Sequence, residues 1–347
     1  MIDRRAFLRT MVALTAGLSA GRRGGGAEAQ AGPDAAAPPT HDRWGKLLPM
    51  RRLGRVDQWV TAMCFGGSHL INERQTTKEQ EALLEAAIEE GIRFFDTAQM
   101  YGGGKSERLM GQFLTPRYRD EIYVMTKTQA TEAERARRDM DECRQRLNVD
   151  VIDLMQMHHL ESPEHVDARI DQGVVDVLLE AREQGKIRHL GFTGHRTPQA
   201  HLRMLERLEQ MGVEFDACQM PVNVVDPGYE SFILNVLPAL VERGYGVLAM
   251  KTLAFGQLVG HDKGWGNRER QARPVVPERM SLAQALGFVW SLPVSSLVSG
   301  TPEVQMLREN ARMLREHQSL NEAERLALVE QAAEFAGPKT EFYKTLG

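Results

Sequence analysis

The sequence predicts an α/β chain closed into a (β/α)8 TIM barrel, with an N-terminal β-hairpin before the first barrel strand and an extra C-terminal helix after the last. Three observations predict it. Eight short strand-like runs alternate with longer amphipathic stretches, the pattern of a parallel sheet covered by helices. Polar side chains able to do proton chemistry follow three successive strands, and in this fold active sites gather at the C-terminal ends of the strands. The length of 347 residues suits one barrel, although length and composition alone (42% hydrophobic, 26% charged) fit two smaller domains equally well.

Residues 1–29 carry Arg4 and Arg5, the apolar pair Phe7-Leu8, a short weakly apolar run over 11–20, and Ala27-Glu28-Ala29 in the form of an A-x-A cleavage site. That order resembles a twin-arginine export signal, which predicts a bacterial protein, periplasmic or exported, that meets the twin-arginine export machinery. The apolar run is shorter than the roughly 20 residues a membrane-crossing helix needs, and no other stretch reads as a span. Removing 1–29 takes away five arginines against Asp3 and Glu28, so the formal charge moves from −4 to about −7. An acidic chain argues against nucleic acid as a partner. Residues 30–48, opening with Ala, Pro and Gly, read as a flexible linker. Cys64, Cys143 and Cys218 are isolated and odd in number, so buried thiols are expected rather than disulfides.

From residue 49 to 347 the chain reads as one folded unit. Residues 50–54 and 59–65 form a hairpin leading into the first barrel strand. Strands are expected near 62–65, 93–95, 122–126, 152–157, 189–193, 215–219, 247–250 and 296–299. Helical patterns lie between them at 78–90, 133–147, 174–184, 198–211, 281–291 and 302–316. A last helix near 322–336 is added outside the barrel.

The second strand delivers Asp96 and then Tyr101, the third Lys127 and the fourth His158. A free phenol has a pKa near 10 and is a poor acid at neutral pH, and a neighbouring ammonium such as Lys127 is one way to lower that value. Asp96 would keep the lysine charged and oriented, while His158 would hydrogen-bond the oxygen of a bound carbonyl. Such a donor contributes about 10²- to 10⁴-fold in rate, so a hydride source must supply the rest, which points to a nicotinamide cofactor. Taken singly, the four read as well as a helix cap, a surface aromatic, a solvated charge and a core histidine. Their convergence at one rim is what would make a site. His158-His159 also invites a metal. Strand alternation would send the two rings to opposite faces, and no cysteine pair or His-x-His accompanies them, so none is expected.

Arg51-Arg52-Leu53-Gly54, Phe65-Gly66-Gly67, Phe95-Asp96-Thr97-Ala98 with Tyr101, Gly104-Lys105-Ser106-Glu107, Thr126-Lys127, Asp153-Leu154 with His158, Gly191-Phe192, Gln219, and Gly300-Thr301 with Glu309-Asn310 follow one another in order. Together they resemble the aldo-keto reductase family over nearly everything after residue 50. The resemblance implies a barrel that binds NADP(H) across its mouth. It also implies an NAD(P)-dependent oxidoreductase that reversibly reduces an aldehyde or ketone to an alcohol, with Asp96, Tyr101, Lys127 and His158 as catalytic residues. Thr193 and Gln219 would contact the nicotinamide carboxamide, Met250 the ring, and Leu253 and Gly256 the pyrophosphate. Gly300 and Thr301 would open the adenosine-phosphate segment, and Asn310 would face adenine. Gln219 also reads as a strand-end cap, and Asn310 as an exposed helix residue.

The chain departs from that pattern in places. Gly194 stands where the family has an asparagine, so one carboxamide contact is lost or supplied by His195. Met250 replaces a stacking aromatic, and a thioether can still pack on a ring face. Met306 and Gly300 stand where the family has an arginine and a lysine for the 2′-phosphate, so NAD(H) stays open beside NADP(H). A G-x-G-x-x-A match at 244–249 enters a strand instead of leaving one, and is no dinucleotide fingerprint. The charged insertion over 261–277, with Trp265, is either a loop over the ligand or a solvated surface loop. The substrate is a small-molecule carbonyl compound, not further specified. A second reading is a regulatory or binding subunit of the same fold that holds the nicotinamide cofactor without significant turnover.

Overall fold

The computed structural model describes residues 37–72, 74–260 and 274–345. The leader expected over 1–29 lies outside the described residues, as do 30–36 of the linker and 261–273 of the insertion, Trp265 included. Two hairpins come first, β1 (His41–Asp42) with β2 (Gly45–Lys46) and β3 (Met50–Arg52) with β4 (Trp59–Thr61). Eight parallel strands then close a barrel: β5 (Met63–Gly66), β6 (Phe94–Asp96), β7 (Tyr123–Thr128), β8 (Ile152–Met157), β9 (Ile187–Thr193), β10 (Ala217–Pro221), β11 (Gly246–Met250) and β12 (Ser296–Ser299). They follow chain order around the axis, and β12 pairs with β5 to close the ring.

Alternation along the strands divides the core in two. One small cluster fills the barrel with Cys64, Phe94, Tyr123, Met125, Leu154, Ala217 and Leu248, joined by Leu53 and Val60 from the β3–β4 hairpin. Phe94 and Tyr123 meet edge to face with centroids 5.4 Å apart. The larger cluster, with Phe65, Phe95, Val124, Met155 and Leu190, packs the outer face of the sheet against the helices. Cys64, Cys143 and Cys218 are buried free thiols. No helix among the described residues is long and apolar enough to cross a membrane.

Local chemistry sets the helix starts. Thr76 and Glu79 form a capping box for the helix Thr77–Glu89, and Ser281 with Gln284 does the same for Leu282–Trp290. Among the helices that did not stand out in the sequence, the two longest are Lys105–Phe113 after β6 and Pro163–Asp171 after β8. The first emerges from three glycines with positive φ, a composition that marks turns more than helix starts. The second has nine residues, too few for a clear period, but opens with a Ser162 cap and Pro163 in its first turn.

Residues 41–48, inside the stretch read as flexible linker, are folded, which corrects that boundary. The Arg93 guanidinium donates to both carboxylate oxygens of Asp42 at 2.5 and 2.9 Å, and Leu47 and Leu48 are buried. The Ala, Pro and Gly bias that suggested a linker stops before them. Several residues of the shared motifs hold the frame. Asp153, fully buried, accepts two bonds of 2.8 Å from Arg119 and one of 2.8 Å from the Val124 amide. Buried Glu107 pairs with Arg146 at 2.6 Å. After the helix Glu322–Ala332 the chain returns to the barrel, where the Lys344 ammonium lies buried 2.9 Å from both Asp226 and Glu341.

Candidate active site

The alternation that places Phe94, Tyr123, Met125, Leu154, Ala217 and Leu248 inside the barrel continues two residues further along each strand. At that level the inward positions are Asp96, Lys127, Gln156, Gln219 and Met250, so the axis turns from apolar to largely polar at the C-terminal rim. The Lys127 ammonium donates to the Asp96 carboxylate, to the Thr97 carbonyl at 2.8 Å and to the Tyr101 hydroxyl at 3.4 Å. Lys127 and Asp96 are 1% and 2% exposed. His158, just past β8, sets its ring edge-on to Tyr101 with centroids 6.1 Å apart. The four side chains singled out from the sequence therefore meet at one rim.

Burial raises the pKa of Asp96, and Lys127 acts against it through its charge and hydrogen bond, aided by a hydrogen bond from Gln219. Burial alone would lower Lys127, but Asp96 and then Tyr101 raise it, so the amine stays charged. For Tyr101 burial wins: the phenol is pushed up to about 12, with Lys127 opposing. That corrects the sequence reading in which the ammonium brings the phenol below its ordinary value. The ammonium pulls in that direction, yet the loss of water around the hydroxyl outweighs it. Tyr101 consequently keeps its proton at neutral pH. Burial, then the charge of Lys127, hold His158 well below the ordinary imidazole value, so it is a neutral ring with one N–H to donate.

Strand alternation does not separate the two adjacent histidines, contrary to the sequence argument. β8 ends at Met157, and His159 has a left-handed φ of 64°. Its ring lies 6.0 Å from that of His158 and 4.7 Å from that of His195, along the wall of the mouth. Among the described residues no three His, Cys, Asp or Glu side chains gather as metal ligands.

The residues expected to hold a cofactor lie on the β9 to β12 side of the rim. Thr193 ends β9 and is buried, and Met250 ends β11 half-buried. The 253–260 turn bends through left-handed Ala254, Phe255 and Gly256, and the Leu253 carbonyl accepts from the Gly256 amide at 2.9 Å. Exposed Gly300 and buried Thr301 follow β12. Asn310 is half-buried, not exposed, and donates to the Ser299 hydroxyl at 3.0 Å. Gln219 is engaged inside the protein, accepting at 3.0 Å from Gln156, and its amide helps hold the Asp96 carboxyl down.

Two of the departures, Gly194 and Gly300, stand where a side chain would clash. A Cβ at Gly194 would sit 2.5 Å from the Leu160 carbonyl oxygen, so no side chain fits there. His195 turns one nitrogen to the Tyr343 carbonyl at 2.9 Å, which removes that nitrogen from the missing asparagine's role. At Gly300 a Cβ would lie 2.4 Å from His69 Cε1, so an imidazole occupies the room of a longer side chain. Met306 is exposed.

A sequence profile of the Aldo/keto reductase family matches residues 62–329. This chain belongs to that family. L-Galactose dehydrogenase of Arabidopsis thaliana is 29% identical over 320 residues, spanning 83% of this chain and 95% of the relative. D-threo-Aldose 1-dehydrogenase of a Pseudomonas species is 27% identical over 236 residues, 57% of this chain and 68% of the relative. L-Glyceraldehyde 3-phosphate reductase of Escherichia coli K12 is 23% identical over 324 residues, 79% and 89% of the two chains. A solved aldo-keto reductase from Bacillus halodurans, in its holo form, shares the fold with a TM-score of 0.68 at 20% identity, covering 85% of this chain and 99% of that one.

Three residues of this aldo/keto reductase escaped the sequence reading. Lys251, next after Met250, has a left-handed φ of 55° and holds its amine 4.3 Å over the Phe255 ring. Burial lowers its pKa to about 8, with Asp96 pulling up and Lys127 adding to the fall. Its signal was position alone, one residue past a strand end. Arg169 is fully buried and donates to the carbonyls of Ala130, His158 and Thr128 at 2.8, 2.7 and 3.1 Å, tying together the ends of the strands that carry Lys127 and His158. It sits on a helix that the pattern did not reveal. Gln156 shares the inward parity of Leu154 and was legible by counting in twos.

Proposed function

We propose that this aldo/keto reductase reversibly reduces an aldehyde or ketone to an alcohol, using NADP(H) or, second, NAD(H). The observation that carries this reading is the meeting of Lys127, Asp96 and the Tyr101 hydroxyl at the rim, with His158 beside them. A nicotinamide cofactor, when bound, supplies the hydride. Neutral His158 donates its N–H to the substrate oxygen and orients it. Tyr101, still protonated, gives its proton to that oxygen, and the resulting phenolate lies 3.4 Å from the charged Lys127, which stabilises it. Asp96 keeps Lys127 charged and aimed.

The residues at the mouth suit that cofactor. Thr193, Gln219 and Met250 would hold the nicotinamide end, Leu253, Gly256 and Lys251 the pyrophosphate, and Gly300, Thr301 and Asn310 the adenosine end. Two relatives are named for sugar substrates, L-galactose dehydrogenase and D-threo-aldose 1-dehydrogenase. Those names and the imidazoles of His158, His159 and His195 along one wall support a hydroxylated carbonyl compound as the substrate class.

The test is cofactor oxidation by the purified chain against a panel of aldoses, aldehydes and ketones with NADPH and with NADH. Turnover with at least one is expected. A chain that binds the nucleotide tightly and reduces none would reject the enzyme and favour the binding-subunit reading.

We also propose export by the twin-arginine route, supported by Arg4-Arg5, the apolar run over 11–20 and Ala27-Glu28-Ala29. Folding before export would let the cofactor travel bound. Cell fractionation with mass measurement of the mature N-terminus checks it, and an intact leader in the cytoplasmic fraction alone would reject it.

A further inference from the structure

We propose that His159, Glu161 and Arg196 form a specificity subsite for the hydroxyls of an unphosphorylated polyhydroxy aldehyde, further along the wall that begins at His158. The proposal rests on the reductase reading and names the substrate class of the same mouth. From the Tyr101 ring the wall runs to His158, 6.1 Å away between centroids, and on to His159, a further 6.0 Å. His159 Nδ1 lies 3.8 Å from one carboxylate oxygen of Glu161, whose other oxygen pairs with Arg196 at 3.2 Å. Glu161 belongs to the turn after β8 and Arg196 to the turn after β9, and these strands are neighbours in the barrel. The His159 side chain is 18% exposed, Arg196 24% and Glu161 36%, so the row leads from the buried proton donor toward solvent.

Two features of this row call for a ligand. His159 Nε2 and Arg196 Nε are both buried with no hydrogen-bond partner in the protein, and a buried polar atom left unmet is costly. His159 also holds a left-handed φ of 64°, a strain that gathers where a side chain must be aimed. An ion pair kept only to join the two turns needs neither feature: it uses Arg196 Nη1 and leaves Nε idle.

The chemistry of the row selects hydroxyls. A hydroxyl both donates and accepts, so it can meet His159 Nε2 in either tautomer of the ring. Arg196 Nε–H is always a donor and the Glu161 carboxylate always an acceptor, so together they suit two neighbouring hydroxyls of one chain. The pair carries no net charge. A substrate carboxylate or phosphate placed there would face the negative charge of Glu161, whereas a neutral polyol would not.

The experiment compares kcat/KM of the full chain for a set of aldohexoses, their uronic acids, their 6-phosphates and hexanal, in the unaltered protein and in Arg196→Met and Glu161→Gln. The unaltered chain is expected to reduce at least one aldohexose better than its uronic acid and its 6-phosphate. In each variant the kcat/KM for that aldohexose, taken relative to hexanal, is expected to fall about tenfold or more, through KM rather than kcat. Both side chains are partly exposed, and if one variant does not fold the other serves. An unchanged ratio in a folded variant would overturn the proposal, as would a preference for the uronic acid or the 6-phosphate. Reduction of hexanal but of no aldohexose would also overturn it and leave the reductase reading standing. If the unaltered chain reduces nothing, the reductase reading falls, and saturation-transfer NMR with sorbitol decides the subsite: a signal lost in Arg196→Met supports it, and an absent or unaltered signal overturns it.

Discussion

The guanidinium of Arg169, on the helix Pro163–Asp171, donates to the backbone carbonyl of His158 at 2.7 Å. The same group reaches Ala130 and Thr128, so one side chain sets the spacing between the ends of β7 and β8. Arg169→Met should leave three carbonyls without that donor and cost about 2–3 kcal/mol of stability, read by urea unfolding. Arg169→Lys should recover only part, because a point charge cannot serve three acceptors as a planar fork does. Full recovery by lysine would contradict this account.

Lys251 holds its amine inside the mouth on a left-handed backbone turn, beside the 253–260 loop. Such strain gathers where a side chain must be aimed. Lys251→Met should weaken nucleotide binding about tenfold, or about 1.4 kcal/mol, measured by cofactor fluorescence. Unchanged affinity would remove Lys251 from the cofactor site.

The barrel, Asp96 and Lys127 were legible because strand parity is a property of the local chain, and Tyr101 and His158 because they follow a strand end closely. Counting in twos from Phe94 reaches Asp96, and from Tyr123 reaches Lys127. What stayed hidden depends on partners far along the chain. Nothing near residue 169 announces that its guanidinium will meet carbonyls at 128, 130 and 158. The folding of 41–48 rests on Arg93, some 50 residues away, and the buried Lys344 on Asp226. The direction of the Tyr101 shift was misjudged for a related reason: an ammonium nearby can be read from sequence, whereas the water lost around the hydroxyl cannot.

We predict that His69 bears on cofactor preference. Its ring fills the space above Gly300 where a lysine side chain would start, so Gly300→Lys alone should destabilise the rim. Paired with His69→Ala, the new lysine has room to reach a 2′-phosphate. The double variant should favour NADPH over NADH about tenfold more than the unaltered chain, compared by kcat/KM for each. An unchanged ratio would mean that the phosphate lies elsewhere.

Buried histidines should set the acid stability. Burial lowers His201 to about 4 and His195 to about 3, the latter also under the charge of Lys251. An unfolded imidazole titrates near 6.5, so falling pH protonates the unfolded chain first. Stability from these neutral rings is complete above about 6.5 and is lost as pH falls toward their folded values. His201 packs on Phe192 and Phe232, so His201→Phe can fill the site. The variant should reduce the loss between about pH 6 and 4.5 by about 1.4 kcal/mol per pH unit. An identical slope in urea unfolding would show that His201 does not titrate on unfolding.

The most direct test of the account is Tyr101→Phe, which removes one hydroxyl and leaves the Lys127–Asp96 pair and the cofactor side intact. Nucleotide affinity should stay within about threefold of the unaltered chain while carbonyl turnover falls by about 10²-fold or more. Full turnover in this variant would contradict Tyr101 as the proton donor.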